Sequence, residues 1–225
     1  AASLATGLTI NGAADENDVL TVDLSGGDAV PAGGITFNGG TGGNDSLVID
    51  GGTTQGTTTY NYTNANDGDV AMSNFGTVTY TGLEPITNTG TADDIIFNLP
   101  NSVNHTVFLE DDGTDADAVS RLRSSTSSFE VTTFTHPTGS LTINDGDGDE
   151  TIQISADFDS DGNATDFDAS LTITADTGTD VLTVASALNL GDGTTNGNLS
   201  LTADTINLND ATIDIDNGTN PGDAT

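Results

Sequence analysis

Leu141-Thr142-Ile143, then Glu150-Thr151-Ile152-Gln153-Ile154, then Leu171-Thr172-Ile173 and Asp180-Val181-Leu182-Thr183-Val184, is the stretch that decides the fold. Each run alternates apolar and polar residues, the period of a half-buried β-strand. The runs are separated by Gly, Asp, Asn and Thr, which favour turns. The same two-strand phrase returns after 30 residues, from Leu141 to Leu171.

Outward from this pair the phrase recurs along the chain. Leu8-Thr9-Ile10 precedes Asp18-Val19-Leu20-Thr21-Val22, and Ile35-Thr36-Phe37 precedes Asp45-Ser46-Leu47-Val48-Ile49. Val78-Thr79-Tyr80 with Asp93-Asp94-Ile95-Ile96-Phe97 is a looser copy, and Leu199-Ser200-Leu201 begins another. The starts at 8, 35, 78, 141, 171 and 199 lie 27, 43, 63, 30 and 28 residues apart. Val107-Phe108-Leu109 divides the longest gap into 29 and 34. Units of this length cannot bury an apolar face alone and must stack on their neighbours. The expectation is an all-β chain, a parallel β-helix (β-solenoid) with irregular coils of about 27–34 residues. Tandem β-sandwich domains are the alternative. Residues 1–225 are read as one segment, with an inserted loop near 51–76. Thr9, Thr36, Thr79, Thr142 and Thr172 are expected in an outer column. Asn11, Asn38 and Asn144 fall at equivalent turn positions and are expected to stack as amide ladders.

The stretch 60–137 differs in composition. It holds eight aromatic residues (Tyr60, Tyr62, Phe75, Tyr80, Phe97, Phe108, Phe129 and Phe134), both His, both Arg and the one Met. A better-filled core is expected there.

Thirty-five acidic and two basic side chains give a formal charge of -33. Such a polyanion repels itself and also repels nucleic acid, whose phosphates need Lys and Arg. Divalent cations or high salt would offset the charge, and both point outside the cell. No stretch has the length of a membrane-spanning helix. No basic, apolar signal peptide opens the sequence, so the reading places any such signal outside it. Without cysteine or lysine, neither disulfides nor Lys–Asn isopeptide bonds can staple the fold.

The carboxylates supply one calcium-like spacing. Asp157-Phe158-Asp159-Ser160-Asp161-Gly162-Asn163-Ala164-Thr165-Asp166-Phe167-Asp168 has oxygen donors at loop positions 1, 3, 5, 9 and 12, with Gly at 6. This is the D-x-D-x-D-G-x5-E pattern with Asp at the end. Asp157, Asp159, Asp161, Thr165 and Asp168, with the Asn163 carbonyl, are therefore the expected calcium ligands. The flanks read as strands, so the paired helices of that motif are not expected.

Gly40-Thr41-Gly42-Gly43-Asn44-Asp45-Ser46-Leu47-Val48 resembles the G-G-x-G-x-D-x-U-x nonapeptide of haemolysin-type (repeats-in-toxin) calcium proteins, with Thr41 where that pattern has Gly. Asp145-Gly146-Asp147-Gly148-Asp149-Glu150-Thr151-Ile152 is a more distant copy. The resemblance implies calcium near stacked turns; the wide separation of the copies argues against a regular roll. In texture, rich in Gly, Thr, Asn and Asp, the whole chain resembles giant secreted bacterial repeat proteins and haemagglutinin-type adhesins. That resemblance implies a secreted or cell-surface structural or adhesive segment, stabilised by calcium.

Its expected partners are copies of itself or neighbouring repeats, head to tail, and cell-surface or matrix polysaccharide. A carbohydrate- or surface-binding module is the alternative function, with a polysaccharide-degrading enzyme behind it. Neither His105 nor His136 lies near a nucleophile motif, and abundant carboxylates do not by themselves indicate a catalytic pair. No catalytic residue is assigned. Arg121 and Arg123 share a strand face and are expected to clip the acidic stretch Glu110–Asp117.

Overall fold

The computed structural model describes residues 6–51, 54–114, 117–155, 158, 167–190, 197–209 and 213–214. Among them lie twenty strands and no helix. In chain order these are β1 (Leu8–Asn11), β2 (Val19–Asp23), β3 (Ile35–Asn38), β4 (Ser46–Asp50), β5 (Thr57–Tyr62), β6 (Gly68–Met72) and β7 (Gly76–Thr81). Next come β8 (Ile86–Asn88), β9 (Asp94–Asn98), β10 (Thr106–Asp111), β11 (Val119–Ser124), β12 (Thr132–Thr135), β13 (Ser140–Asn144) and β14 (Thr151–Ile154). The last are β15 (Ser170–Thr174), β16 (Val181–Val184), β17 (Leu188–Asn189), β18 (Leu199–Thr202), β19 (Thr205–Leu208) and β20 (Ile213–Asp214).

Two mixed sheets of nine strands carry the fold. The first runs β1-β3-β7-β6-β5-β9-β13-β15-β18, the second β2-β4-β8-β12-β11-β10-β14-β16-β19. A small parallel pair joins β17 to β20. The chain passes from one sheet to the other and back, and successive visits add parallel neighbours in register. Leu8 pairs with Ile35 and Ile35 with Val78; Leu141 pairs with Leu171 and Leu171 with Leu199.

Each sheet contains one three-stranded antiparallel meander, β5-β6-β7 in the first and β10-β11-β12 in the second. An odd number of strands returns the chain to its original direction. Parallel stacking therefore resumes on both sides of each meander, β7 on β3 and β12 on β8. The stretch 51–76, expected as an inserted loop, contains β5 and β6. Two members of the repeat also belong to the other sheet from the one expected. Asp94–Asn98, matched above to second strands, pairs with β13 in the first sheet. Val107–Leu109, matched to first strands, lies in the second. Strands of both sheets read aliphatic-x-aliphatic, so alternation alone cannot tell them apart.

Inward residues form continuous columns. One is Leu20, Leu47 and Ile86 on β2, β4 and β8; another is Phe97, Ile143 and Ile173 on β9, β13 and β15. All of these but Leu20 are fully buried. The sheets meet through the aromatic middle. Tyr60 stacks on Phe97 at 4.8 Å between centroids, and Phe97 meets Phe134 of the facing sheet at 5.2 Å. Two of the three core tyrosines find polar partners across the interior: Asn88 Nδ2 donates to Tyr60 Oη (2.9 Å), and the Tyr62 and Thr132 hydroxyls bond at 2.7 Å, whereas Tyr80 Oη is buried without one.

The outer columns are interrupted by the meanders. Thr9, Thr36 and Thr79 are in register, as are Thr142 and Thr172. Asn38 Nδ2 donates to Asn11 Oδ1 at 2.6 Å. Asn144 belongs to a second ladder, through Asn98 to Asn61, at 2.8 and 2.7 Å. Arg121 Nε and Arg123 Nε both donate to Glu110 Oε1, at 2.6 and 2.5 Å, and Arg123 lies 4.3 Å above the Phe108 ring.

Candidate metal centre

The turns that carry the chain from the first sheet to the second share one corner. Register places an acid just before most second-sheet strands: Asp18, Asp45 and Glu84 at one end, Glu150, Asp180 and Asp204 at the other. Stacked carboxylates repel unless something lies between them. Backbone amides do part of this. Asp18 N donates to Asp45 Oδ1 (2.8 Å), Glu150 N to Asp180 Oδ1 (2.8 Å), and Asp180 N to Asp204 Oδ2 (2.9 Å).

At one level a third acid enters. The turns 145–150 and 175–180 lie directly on each other: Asp145 N donates to Thr174 O, and Thr179 N to Asp149 Oδ1, both at 2.9 Å. The approach is close enough that a Cβ on Gly178 would lie 1.7 Å from Gly148 O, and Gly178 has φ +124°. Only glycine fits such a position without displacing the backbone. The stacking brings Asp145, Glu150 and Asp180 together, with one carboxylate oxygen from each within 4.8 Å of the others.

Glu150 and Asp180 are each 1% exposed, and Asp145 is half-buried. Asp145 Oδ2, both Glu150 oxygens and Asp180 Oδ2 are buried without a hydrogen-bond partner. Burial, followed by the charges of Asp145 and Asp180, pushes the Glu150 carboxyl up to about 8. Burial, with Asp180 and Asp176 nearby, pushes Asp145 up to about 6. A buried carboxylate without partners is strongly unfavourable, and a metal ion supplies the missing charge and bonds. Three carboxylates form a hard, all-oxygen donor set of the kind taken by calcium, magnesium or manganese. The chain's two basic side chains, Arg121 and Arg123, are on Glu110.

A second acidic grouping differs in kind. Asp45, Asp67 and Glu84 line a corner cavity of about 460 Å³, with Glu130 behind Asn66. Here protein donors reach every carboxylate. Asn66 Nδ2 donates to Glu84 Oε1 (2.7 Å) and Glu130 Oε1 (3.3 Å), and Gly82 N to Asp67 Oδ1 (3.0 Å). Burial and the charge of Glu84 push Glu130 up to about 8.

Of the residues expected to hold calcium, Asp157, Asp159, Asp161, Asn163 and Thr165 lie outside the described residues. Asp168 is half-buried beside Phe167. Phe167 packs on Phe158 at 4.9 Å and edge-on to His136 at 5.4 Å. Asp145 and Glu150 do lie in a turn whose calcium likeness is visible in sequence, whereas Asp180 reads only as the start of a strand. The signal that unites them is the 30-residue repeat, which sets Glu150 over Asp180. No protein family, curated protein or solved structure matches this chain.

Proposed function

We propose that this chain is a segment of an extracellular structural or adhesive protein, a β-solenoid whose coils are stapled by calcium at Asp145, Glu150 and Asp180. The observation that carries the reading is the set of buried, partnerless oxygens between two stacked turns. A cation there neutralises repulsion between successive coils and fixes the register of β14 on β16. Calcium suits the site because it accepts several carboxylates with flexible geometry, whereas magnesium keeps most of its waters. A net charge of -33 suits a medium rich in divalent cations and salt. The in-register parallel stacking of both sheets supports a rod-like, load-bearing role. The aromatic side chains of the middle, which a sugar-binding platform would expose, are mostly spent on the core.

Isothermal titration calorimetry tests the site. Wild-type protein should bind calcium with a heat signal that Asp180→Asn greatly weakens, while Asp168→Asn leaves it largely in place. An isotherm unaffected by Asp180→Asn places calcium elsewhere and overturns the assignment.

A further inference from the structure

We propose that Ser128 is an activated nucleophile with His105 as its base, and that this end of the β10-β11-β12 meander transfers acyl groups from small esters to water. The proposal is independent of the scaffold reading and of its metal site. In sequence the two residues lie 23 positions apart. The antiparallel pairing of β10 with β11 sets Val107 opposite Ser124. His105, just before one strand, and the loop 125–131, just after the other, therefore emerge at the same end. The Ser125 amide donates to Thr106 O at 2.9 Å, and the amides of Thr126 and Ser128 both donate to Ser124 Oγ at 3.2 Å. Ser127 takes a left-handed φ of +51°, uncommon outside glycine. The loop is thereby curled so that the Ser128 hydroxyl lies 2.6 Å from His105 Nδ1.

The hydrogens of this cluster follow one from another. His105 Nε2 lies 2.8 Å from Pro100 O, which can only accept, so Nε2 carries the ring proton. In the neutral imidazole Nδ1 is then a lone pair, and the Ser128 hydrogen points at it. Ser128 Oγ has no second hydrogen, so the one in its 2.8 Å contact with Ser124 Oγ belongs to Ser124. By the same count Thr126 supplies the hydrogen in its 2.9 Å contact with Ser124 Oγ. One directed chain results, from Thr126 through Ser124, Ser128 and His105 to Pro100 O. Each donor polarises the next, and the chain sets a serine on a base that a third group holds in place, the arrangement that activates a hydroxyl. His105 is 2% exposed, its ring edge-on to Phe129 at 5.9 Å, whereas Ser128 is half-buried and follows three exposed residues. The nucleophile thus sits at the surface and its base below it. A cavity of about 260 Å³, lined by Pro85, Phe129 and Val131 together with Ser124, Ser127 and Glu130, adjoins the serine and has room for a short acyl chain.

In the reaction Ser128 Oγ bonds to the ester carbonyl carbon while its proton passes to His105 Nδ1. The Phe129 amide, next in the chain and without an acceptor among the described residues, is the donor available to the oxyanion. The bond from carbon to the alcohol oxygen then breaks, and His105 returns the proton to the leaving oxygen. Water attacks the acyl-serine by the same route, releasing the acid and restoring the hydroxyl.

A fluorophosphonate probe tests the pair, because Ser128 Oγ attacking phosphorus expels fluoride and leaves a stable adduct. Wild-type protein should carry the label on Ser128, located by peptide mass spectrometry, at a rate at least about 100-fold above that of Ser125 and Ser127 in the same loop. It should also hydrolyse 4-nitrophenyl acetate, and Ser128→Ala should abolish both signals. His105→Asn keeps an acceptor for the Ser128 hydroxyl but removes the base, so labelling should fall by about 100-fold while circular dichroism stays that of wild type. If that variant is unfolded, the selectivity of the wild-type label for Ser128 over Ser127 still decides. No label, a label spread evenly over the serines of the loop, ester hydrolysis that survives Ser128→Ala or is absent from wild type, or a folded His105→Asn variant labelled at the wild-type rate overturns the proposal.

Discussion

Replacing Glu150 by Gln should change stability in opposite directions with and without calcium. In chelator the glutamate is an uncompensated buried acid. Its folded-state value of about 8 stands against an ordinary 4.5. A carboxyl raised in this way contributes stability that is present below about pH 4.5 and is lost as pH rises toward 8. At pH 7 the full linkage cost is about 3 kcal/mol, and water reaching the site past half-buried Asp145 reduces it to about 1–2 kcal/mol. Glutamine removes that cost, and its amide can donate to Asp145 and Asp180. In chelator Glu150→Gln should therefore raise the melting temperature by about 2–8 °C, at about 2–4 °C per kcal/mol for a chain of this size. With calcium at a hundredfold excess over Kd, wild type gains about 2.7 kcal/mol and the variant, lacking a ligand, gains little. The order of melting temperatures should then invert. Thermal melts followed by circular dichroism at pH 7, in chelator and in millimolar calcium, read both arms. If the variant is less stable than wild type in both, Glu150 is a packing residue and the reasoning fails.

Three further perturbations probe the surrounding structure. Glu130→Gln keeps the contact with Asn66 and removes a carboxyl raised to about 8, so urea melts should match wild type near pH 4.5 and show the variant more stable by about 1–3 kcal/mol at pH 8. An advantage that does not grow with pH would contradict the buried-acid account. Arg121→Gln and Arg123→Gln should each cost about 1 kcal/mol, because the other arginine still holds Glu110. The double variant should cost about 3 kcal/mol or more, leaving Glu110 buried without a cation, and a double-mutant cycle reads the non-additivity. Gly178→Ala forces a Cβ against Gly148 O and should destabilise by more than about 3 kcal/mol, with a loss of calcium affinity that Gly26→Ala, where nothing lies within 4 Å, does not show.

The all-β character and most strand positions were legible because apolar alternation survives in every copy of the phrase. Leu141–Ile143 over Leu171–Ile173 is paired residue for residue as the spacing requires. The sheet membership of Asp94–Asn98 and Val107–Leu109 was not legible, since an inward-facing strand looks alike in either sheet. The meanders were hidden for a related reason. Thr57–Tyr62 and Gly68–Met72 are rich in Thr, Asn and Gly and read as loop. Yet Thr58, Tyr60, Tyr62, Val70 and Met72 alternate inward once β9 and β7 lie alongside. The metal candidate was half legible: two of its acids sit in a turn with calcium-like composition. The third comes from the next repeat, and only a fixed register brings it within reach.

The corner is where such a site can arise in this fold. Within the strands most inward positions belong to apolar columns, and a charge there would be buried without a partner. On the outer faces carboxylates are solvated and need no ion. At the corner the backbone turns between sheets, and side chains of successive turns converge at the spacing of neighbouring strands, about 4.8 Å. Two stacked acids can share this space, because the amide of one donates to the carboxylate of the next, as Asp18 does to Asp45. A third carboxylate exceeds what one amide can satisfy. Asp145 adds that third group over Glu150 and Asp180, and four oxygens are left without donors. At the other end Asn66 takes the corresponding place over Glu84 and Glu130, and its amide does locally what a cation would do. The step from hydrogen-bonded corner to candidate metal centre is thus the exchange of one amide donor for one more carboxylate.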